Sequence, residues 1–324
     1  MTQPAEIGKA DRFAAIDVGS NSVKLSIAIR GTGKRPDLID TARVVTQLGQ
    51  HAGKDGRLDP DAVERTAVAI AKLSDEARSQ GATVIRSVAT SAARETPDGD
   101  QFKSRVEELS GIDLEIISGE READLIFQAV SSHHIVDDRS SLVFDTGGGS
   151  TEIILAMNNE VKHRGSFPIG ALRLAERFEA MGRTSGKVAS AIRSHVREMV
   201  EGIREKAGDA SIAVGTGGTC TALALLDIGP LPIPKSGKPP AILRENHTMA
   251  RETVEETLTW LRKMDLAERK EKTGLRTRRA EIIVAGACIV AELMTVFDME
   301  WVAMLDVGLR DGLLLEMIQQ SDPS

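Results

Sequence analysis

Two stretches of this chain, Ala14–Ile29 (AAIDVGSNSVKLSIAI) and Leu142–Met157 (LVFDTGGGSTEIILAM), align with each other without a gap. Asp17 falls on Asp145, Gly19 on Gly147, Ser22 on Ser150 and Ala28 on Ala156, with apolar positions matching on both flanks. Each reads as strand, tight turn, strand, with a carboxylate near the turn. Self-similarity within one chain implies two related halves, each opening with the same hairpin. Consecutive glycines allow several N–H groups to face one concavity, which suits an anion and above all a phosphate. Asp145 beside such a nest repels phosphate unless a divalent cation lies between them. Two Asp-tipped hairpins facing across a cleft would hold a metal-phosphate from both sides.

The 324 residues suffice for two domains. Hydrophobic content of 41% with 27% charged residues is that of a soluble globular protein. Seven Phe, two Trp and no Tyr argue against a base-stacking nucleic-acid platform. The net charge of −7 argues against a general polyanion-binding surface, so an anionic substrate must be met locally. Cys220 and Cys288 lie in small or apolar surroundings and read as buried free thiols, without zinc or disulfide spacing. The polar N-terminus and the absence of a long apolar run place the protein in the cytoplasm.

Leu38–Leu48 reads as a third strand, and Pro60 opens a helix through about Gln80 with Asp59 or Asp61 as cap. Val84–Val88 is a short strand ending in small residues that lead to Arg94. Arg94 either reaches toward a ligand there or is a solvated residue in a first helical turn. After a strand at Asp113–Ile117, Ser118–Ala123 forms a Gly-containing turn before a helix at Asp124–Val130. Its acids suit a helix N-terminus, and one of them placed near the hairpins would serve as general base for water. Lys162–Pro168 is a strand or loop, and helices are expected at Gly170–Phe178 and Ala189–Ala207. A third Gly-rich turn, Gly215–Thr219, enters the helix Cys220–Leu226, another anion-binding arrangement. Asp227–Asn246, with five Pro and two Gly, reads as an extended loop. Arg262–Glu281 carries eight Lys/Arg against four Asp/Glu, as a solvated helix and loop or as a basic lip to the cleft. Helices at Thr253–Met264 and Ala280–Phe297, a strand at Trp301–Leu305 and a last helix to about Gln319 complete the chain.

Paired hairpins with a Gly-rich turn in the second half resemble the actin/sugar kinase/heat-shock chaperone ATPase superfamily. The resemblance implies an α/β fold of two ribonuclease-H-like domains with a cleft between them. The segments AAIDVGSNSVKLSIA, SVATSAARE, ISGEREADLIF, LVFDTGGGSTEI, GTGGTCTALA and LDVGLRDGLL narrow it to the exopolyphosphatase/guanosine pentaphosphate phosphohydrolase (Ppx/GppA) family, in its short two-domain form. The expected domains are residues 1–130 with 306–324, and residues 131–305.

By this resemblance Glu122 matches the catalytic base and Arg94 an arginine near the transferring phosphate. Asp145 and Glu152, with Asp17, match acidic positions for metal and catalytic water. Ser20, Asn21, Ser22, Gly147, Gly148, Gly149 and Ser150 match the two phosphate loops, and Gly217 and Gly218 lie in the third anion-binding turn. The resemblance implies Mg²⁺ as cofactor with K⁺ as an activator, polyphosphate or guanosine pentaphosphate as substrate, and a homodimer. Arg121 departs from it, standing where many members have Glu, and removes one acid beside the expected base. A kinase or ATPase of the same superfamily, or a non-catalytic polyphosphate or alarmone sensor, fits the hairpins equally well. Glu122 on its Gly turn favours hydrolysis.

Overall fold

The computed structural model describes residues 11–31, 35–49, 56–206, 208, 210–229 and 247–321. The hairpin β1 (Arg12–Val18) and β2 (Ser22–Ile29) opens the chain, followed by β3 (Asp37–Val45). Helix α1 (Pro60–Ser79) is capped by Asp59, whose side chain accepts the Asp61 N–H. Strand β4 (Ala82–Ala89) leads through the single turn α2 (Ser91–Arg94) to α3 (Gly99–Ser110) and β5 (Leu114–Ile116). Helix α4 (Gly119–Ser131) starts five residues earlier than its apolar pattern indicates. Ser118 accepts the Arg121 N–H at 3.1 Å and fixes that start, which puts Glu122 in the first turn.

The second hairpin, β6 (Ser140–Thr146) and β7 (Thr151–Met157), continues into β8 (Glu160–Phe167). Then follow α5 (Ala171–Arg177), α6 (Gly186–Arg204), β9 (Ile212–Thr216) and α7 (Gly217–Ile228). The chain closes with β10 (His247–Ala250), α8 (Arg251–Lys263), α9 (Leu266–Thr273), α10 (Thr277–Val296), β11 (Trp301–Met304) and α11 (Leu309–Gln320). Most of the Pro-rich stretch read as a loop lies outside the described residues.

The internal repeat is a repeat of topology. The first sheet has the order β3-β2-β1-β4-β5, and the second has β10-β11-β9-β6-β7-β8. Read from β8, the second is the first order again, with β10 added at the far edge. In both, the hairpin and the next strand are antiparallel, while β4 and β5, and β9 and β11, join parallel; the added β10 is antiparallel to β11. Parallel strands covered on both faces are apolar throughout, and β1 shows why. Its Ala14, Ile16 and Val18 pack against α1 and α3, and its Phe13 and Ala15 face the opposite way, toward α4 and α11. Those two helices lie between the sheets, since Val143, Ile154 and Val214 of the second sheet share the same core. Leu142, Phe144 and Ile153 face a third core built from α5 to α10. The layers are therefore helices, sheet, helix pair, sheet, helices. Every Gly-rich turn lies beyond the carboxyl end of a parallel strand, where open α/β sheets bind ligands.

Candidate active site

The two hairpin turns have the same hydrogen bonds. Gly19 N–H donates to Ser22 O at 3.1 Å, and Gly147 N–H donates to Ser150 O at 3.0 Å. In each, the loop carbonyls are turned away and satisfied from behind. Thr46 and Gln47 donate to Asn21 O and Gly49 to Ser20 O, while Ala171, Leu172 and Arg173 donate to Gly147 O and Gly148 O. The N–H groups of Ser20, Asn21, Gly148 and Gly149 donate to no oxygen among the described residues. An anion nest has this polarity. Gly147, expected to give its N–H to phosphate, instead spends it inside the turn.

The loops also touch each other. A side chain at Gly149 would collide with the hydroxyls of Ser20 and Ser91, which are themselves 2.9 Å apart. A Cβ at Gly148 would be 3.4 Å from the Asn21 Cβ, so the second loop also borders the first there, less tightly. Ser22 is buried and its hydroxyl accepts from Arg43 Nε at 3.2 Å. Ser150 is buried and donates to Glu152 Oε1 at 2.8 Å. Gly217 has φ +85°, and a Cβ there would sit 2.6 Å from Asp145 Oδ1. The conformation thus demands glycine twice over, by its left-handed backbone and by the carboxylate it faces. Gly218 lies against the Arg279 guanidinium.

Strand register explains how the two hairpins differ. Asp17 pairs with Lys24 across the first, and Asp145 with Glu152 across the second. Lys24 Nζ is 3.1 Å from Asp17 Oδ2, so the first carboxylate already has its cation. The second hairpin instead sets two carboxylates on one face. Thr216 donates to Asp145 Oδ2 at 2.8 Å, and Ser150 and Ser166 both donate to Glu152 Oε1. The other oxygen of each receives no hydrogen bond among the described residues. Burial, then the nearby Asp145, pushes Glu152 up to about 7; burial first also raises Asp145. Among the described residues no three His, Cys, Asp or Glu side chains converge on one point, so Asp17 does not join Asp145 and Glu152 as a three-carboxylate set. Two carboxylates with free oxygens still fit Mg²⁺, which keeps waters and takes substrate phosphate as further ligand.

Glu122 projects from the first turn of α4 and is buried. Arg94 Nη1 donates to Glu122 Oε2 at 3.0 Å and to Ile117 O at 3.1 Å, and its Nη2 donates to Ser166 Oγ at 3.1 Å. Arg94 is therefore anchored at the site and is not a solvated residue. Burial, then the charge of Glu152, raises the Glu122 carboxyl well above its usual range, against the pull of Arg94. Arg121 points elsewhere. Its guanidinium pairs with Glu316 on α11, which also pairs with Arg86 at 2.6 Å. The arginine at this position therefore places its charge on α11 and not on Glu122.

Several participants were not apparent from sequence. Ser166 lies in a stretch that reads only as strand or loop, Thr216 is one residue of the third Gly-rich turn with nothing to single it out, and the role of Lys24 appears only in the register. Arg43, Arg276, Arg279 and Arg310 form a cationic side of the cleft, and none makes an ion pair among the described residues. Arg279 is part-exposed yet surrounded by protein. Burial, then Arg43, holds it down to about 10, so it remains charged at neutral pH. Arg269, from the same basic run, is fully buried and donates to the carbonyls of Leu261, Met264, Met181, Gly182 and Ala280. The run is thus neither a wholly solvated helix nor a uniform lip.

Paired 3-2-1-4-5 sheets, with mirrored hairpin loops meeting in the cleft, define a two-domain protein of the actin-like ATPase fold. Its shape follows that of the Aquifex aeolicus Ppx/GppA family member, with TM-score 0.79, 26% identity, and 97% of this chain and 99% of the other covered. An exopolyphosphatase from Cytophaga hutchinsonii superposes with TM-score 0.85 at 23% identity, covering 96% and 99%. The Ppx/GppA phosphatase family model matches residues 14–321, and the chain belongs to that family. Exopolyphosphatase 1 of Mycobacterium bovis is 26% identical over 312 residues, 95% of this chain and 88% of the relative. Exopolyphosphatase 2 of Mycobacterium tuberculosis is 36% identical over 225 residues, 66% of this chain and 70% of the relative. No helix among the described residues is long and apolar enough to cross a membrane.

Proposed function

We propose that this protein hydrolyses the terminal phosphoanhydride of inorganic polyphosphate, with Glu122 as general base. The observation that carries the reading is Glu122 held by Arg94 at 3.0 Å beside the Asp145–Glu152 pair. The relatives named exopolyphosphatase support the substrate class. The free N–H groups of Ser20, Asn21, Gly148 and Gly149 hold the terminal phosphate. Arg94 faces its equatorial oxygens, where negative charge accumulates. Asp145 and Glu152 would hold Mg²⁺, which would neutralise phosphate charge. Glu122 orients the attacking water and takes its proton. Its raised basicity suits it to do so near neutral pH, and burial beside Arg94 keeps its carboxylate in one place.

Guanosine pentaphosphate ends in the same anhydride, and the loops grip only that end. Polyphosphate is the better fit to the rest of the cleft, where Arg43, Arg276, Arg279 and Arg310 gather. A kinase of the same fold would need an acceptor before releasing phosphate. The test is phosphate release from long-chain polyphosphate with Mg²⁺ and no acceptor. E122Q should lose roughly 10²- to 10⁴-fold in kcat, the usual worth of a general base, while still binding substrate. Equal release by wild type and E122Q would remove Glu122 from the mechanism.

A further inference from the structure

We infer that the Ser166 hydroxyl is a positioning group for this reaction: it is the junction through which Arg94, and with it Glu122, is set against Glu152. The inference rests on the hydrolytic reading and adds a residue to it. Ser166 lies near the end of β8, in the second sheet, whereas Arg94 and Glu122 come from α2 and α4, beyond β4 and β5 of the first. Its hydroxyl accepts from Arg94 Nη2 at 3.1 Å and donates to Glu152 Oε1 at 2.7 Å. The one proton of Ser166 goes to a carboxylate, and its lone pair receives a guanidinium. Both bonds are charge-assisted, and their directions are fixed by what lies at each end. A continuous chain therefore runs from Glu122 through Arg94 and Ser166 to Glu152.

A second observation is independent of hydrogen bonds. Gly119, the first residue of α4, lies so close to Ser166 that a Cβ there would collide with the serine Cβ. Glu122 is three residues further along that helix. Ser166 is thereby pressed against the start of the element that carries the base, and its hydroxyl sits in a fixed place relative to Glu122. Removing the hydroxyl takes one anchor from Arg94 and one of two donors from Glu152. The phosphate loops keep every contact, so substrate binding should survive while alignment is lost. Misplacement on the scale of an ångström at a reacting centre costs roughly 10²-fold.

The experiment measures kcat and KM on polyphosphate for wild type, E122Q and S166A. S166A should lose roughly 10²-fold in kcat with KM within about twofold of wild type, the pattern of an interaction used only in the transition state. If S166A does not fold, S166C keeps the volume with a much weaker donor, and the same fall is expected. Wild type against E122Q tests the hydrolytic reading, and S166A against wild type tests this inference. Should wild type release no phosphate, that reading falls, and the inference is judged on the ligand-free protein by denaturant unfolding. There S166A should lower the midpoint more in the wild-type background than in R94A, where only the bond to Glu152 is left to lose. Equal shifts in both backgrounds, or S166A turning over at the wild-type rate, would overturn it.

Discussion

Lys24 and Glu152 occupy the same place in two copies of one hairpin, and their opposite charges give the copies different work. Lys24 neutralises Asp17, whereas Glu152 faces Asp145 and leaves a buried and a half-buried carboxylate in want of a cation. This has a measurable sign. With its pKa raised from 4.5 to about 7, Glu152 binds its proton more tightly folded than unfolded. Its contribution therefore favours folding below about 4.5 to 7 and is lost as pH rises through that window. In Mg²⁺-free buffer the denaturant midpoint should be higher at the acid end of this window than above it, and E152Q should flatten the difference. Mg²⁺ should raise the midpoint on the alkaline side, where the pair is ionised, by ordinary linkage. A pH response that E152Q leaves unaltered would place the effect on other groups. The aspartates and glycines of the hairpins were legible in sequence because repetition marks them. The charge difference at Lys24 and Glu152 was not, because its meaning depends on which residue lies opposite across the turn.

The helix pair α4 and α11 carries Glu122, the proposed base, and joins the layers. Any side chain at Gly312 of α11 would collide with the backbone oxygen of Leu125 in α4, so the two helices touch backbone to backbone. A backbone atom cannot rotate aside as a side chain can. G312A should destabilise the fold by about 1–3 kcal/mol or more, the usual scale of overpacking, and lower turnover as α4 shifts beneath Glu122. Equilibrium denaturation with activity measured on the folded fraction separates the two effects. A variant as stable as wild type would show that the helices can part without cost. The positions of these elements were readable from apolar period and caps, but their ends were less so. The start of α4 at Gly119 is set by the Ser118 cap, within a run whose acids look equally at home in a turn. Strand β10 is four residues long and follows the Pro-rich stretch, too short for period to declare it. Helix α9 lay within the basic run, where charge implies exposure. Arg269 is buried there because five carbonyls satisfy its guanidinium, a pattern no local rule reveals.

An acidic molecule that is to take a polyanion, as proposed for this one, must concentrate its few useful cations, at a cost to its own stability. The net charge is −7, yet Arg43, Arg276, Arg279 and Arg310 gather beside the Gly-rich loops without ion-pair partners among the described residues. Arg43 and Arg279 are each held below the ordinary arginine range, first by burial and then by a neighbouring arginine. A like-charged cluster opposes folding, and an anion lying among its members relieves the strain. Binding and stability therefore pull in opposite directions at these residues, as is common where a site is prepared for a charged ligand. R279A should leave the free protein as stable as wild type or slightly more so. It should also raise KM for polyphosphate roughly tenfold, with a smaller change in kcat, since the lost contact serves ground state and transition state alike. Added salt should weaken binding more in wild type than in R279A, because screening removes an attraction the variant already lacks. Initial rates across substrate concentration at low and high salt, with denaturation of the free proteins, measure all three. If R279A loses stability and keeps its KM, Arg279 belongs to the scaffold, and the polyanion is met by the loops alone.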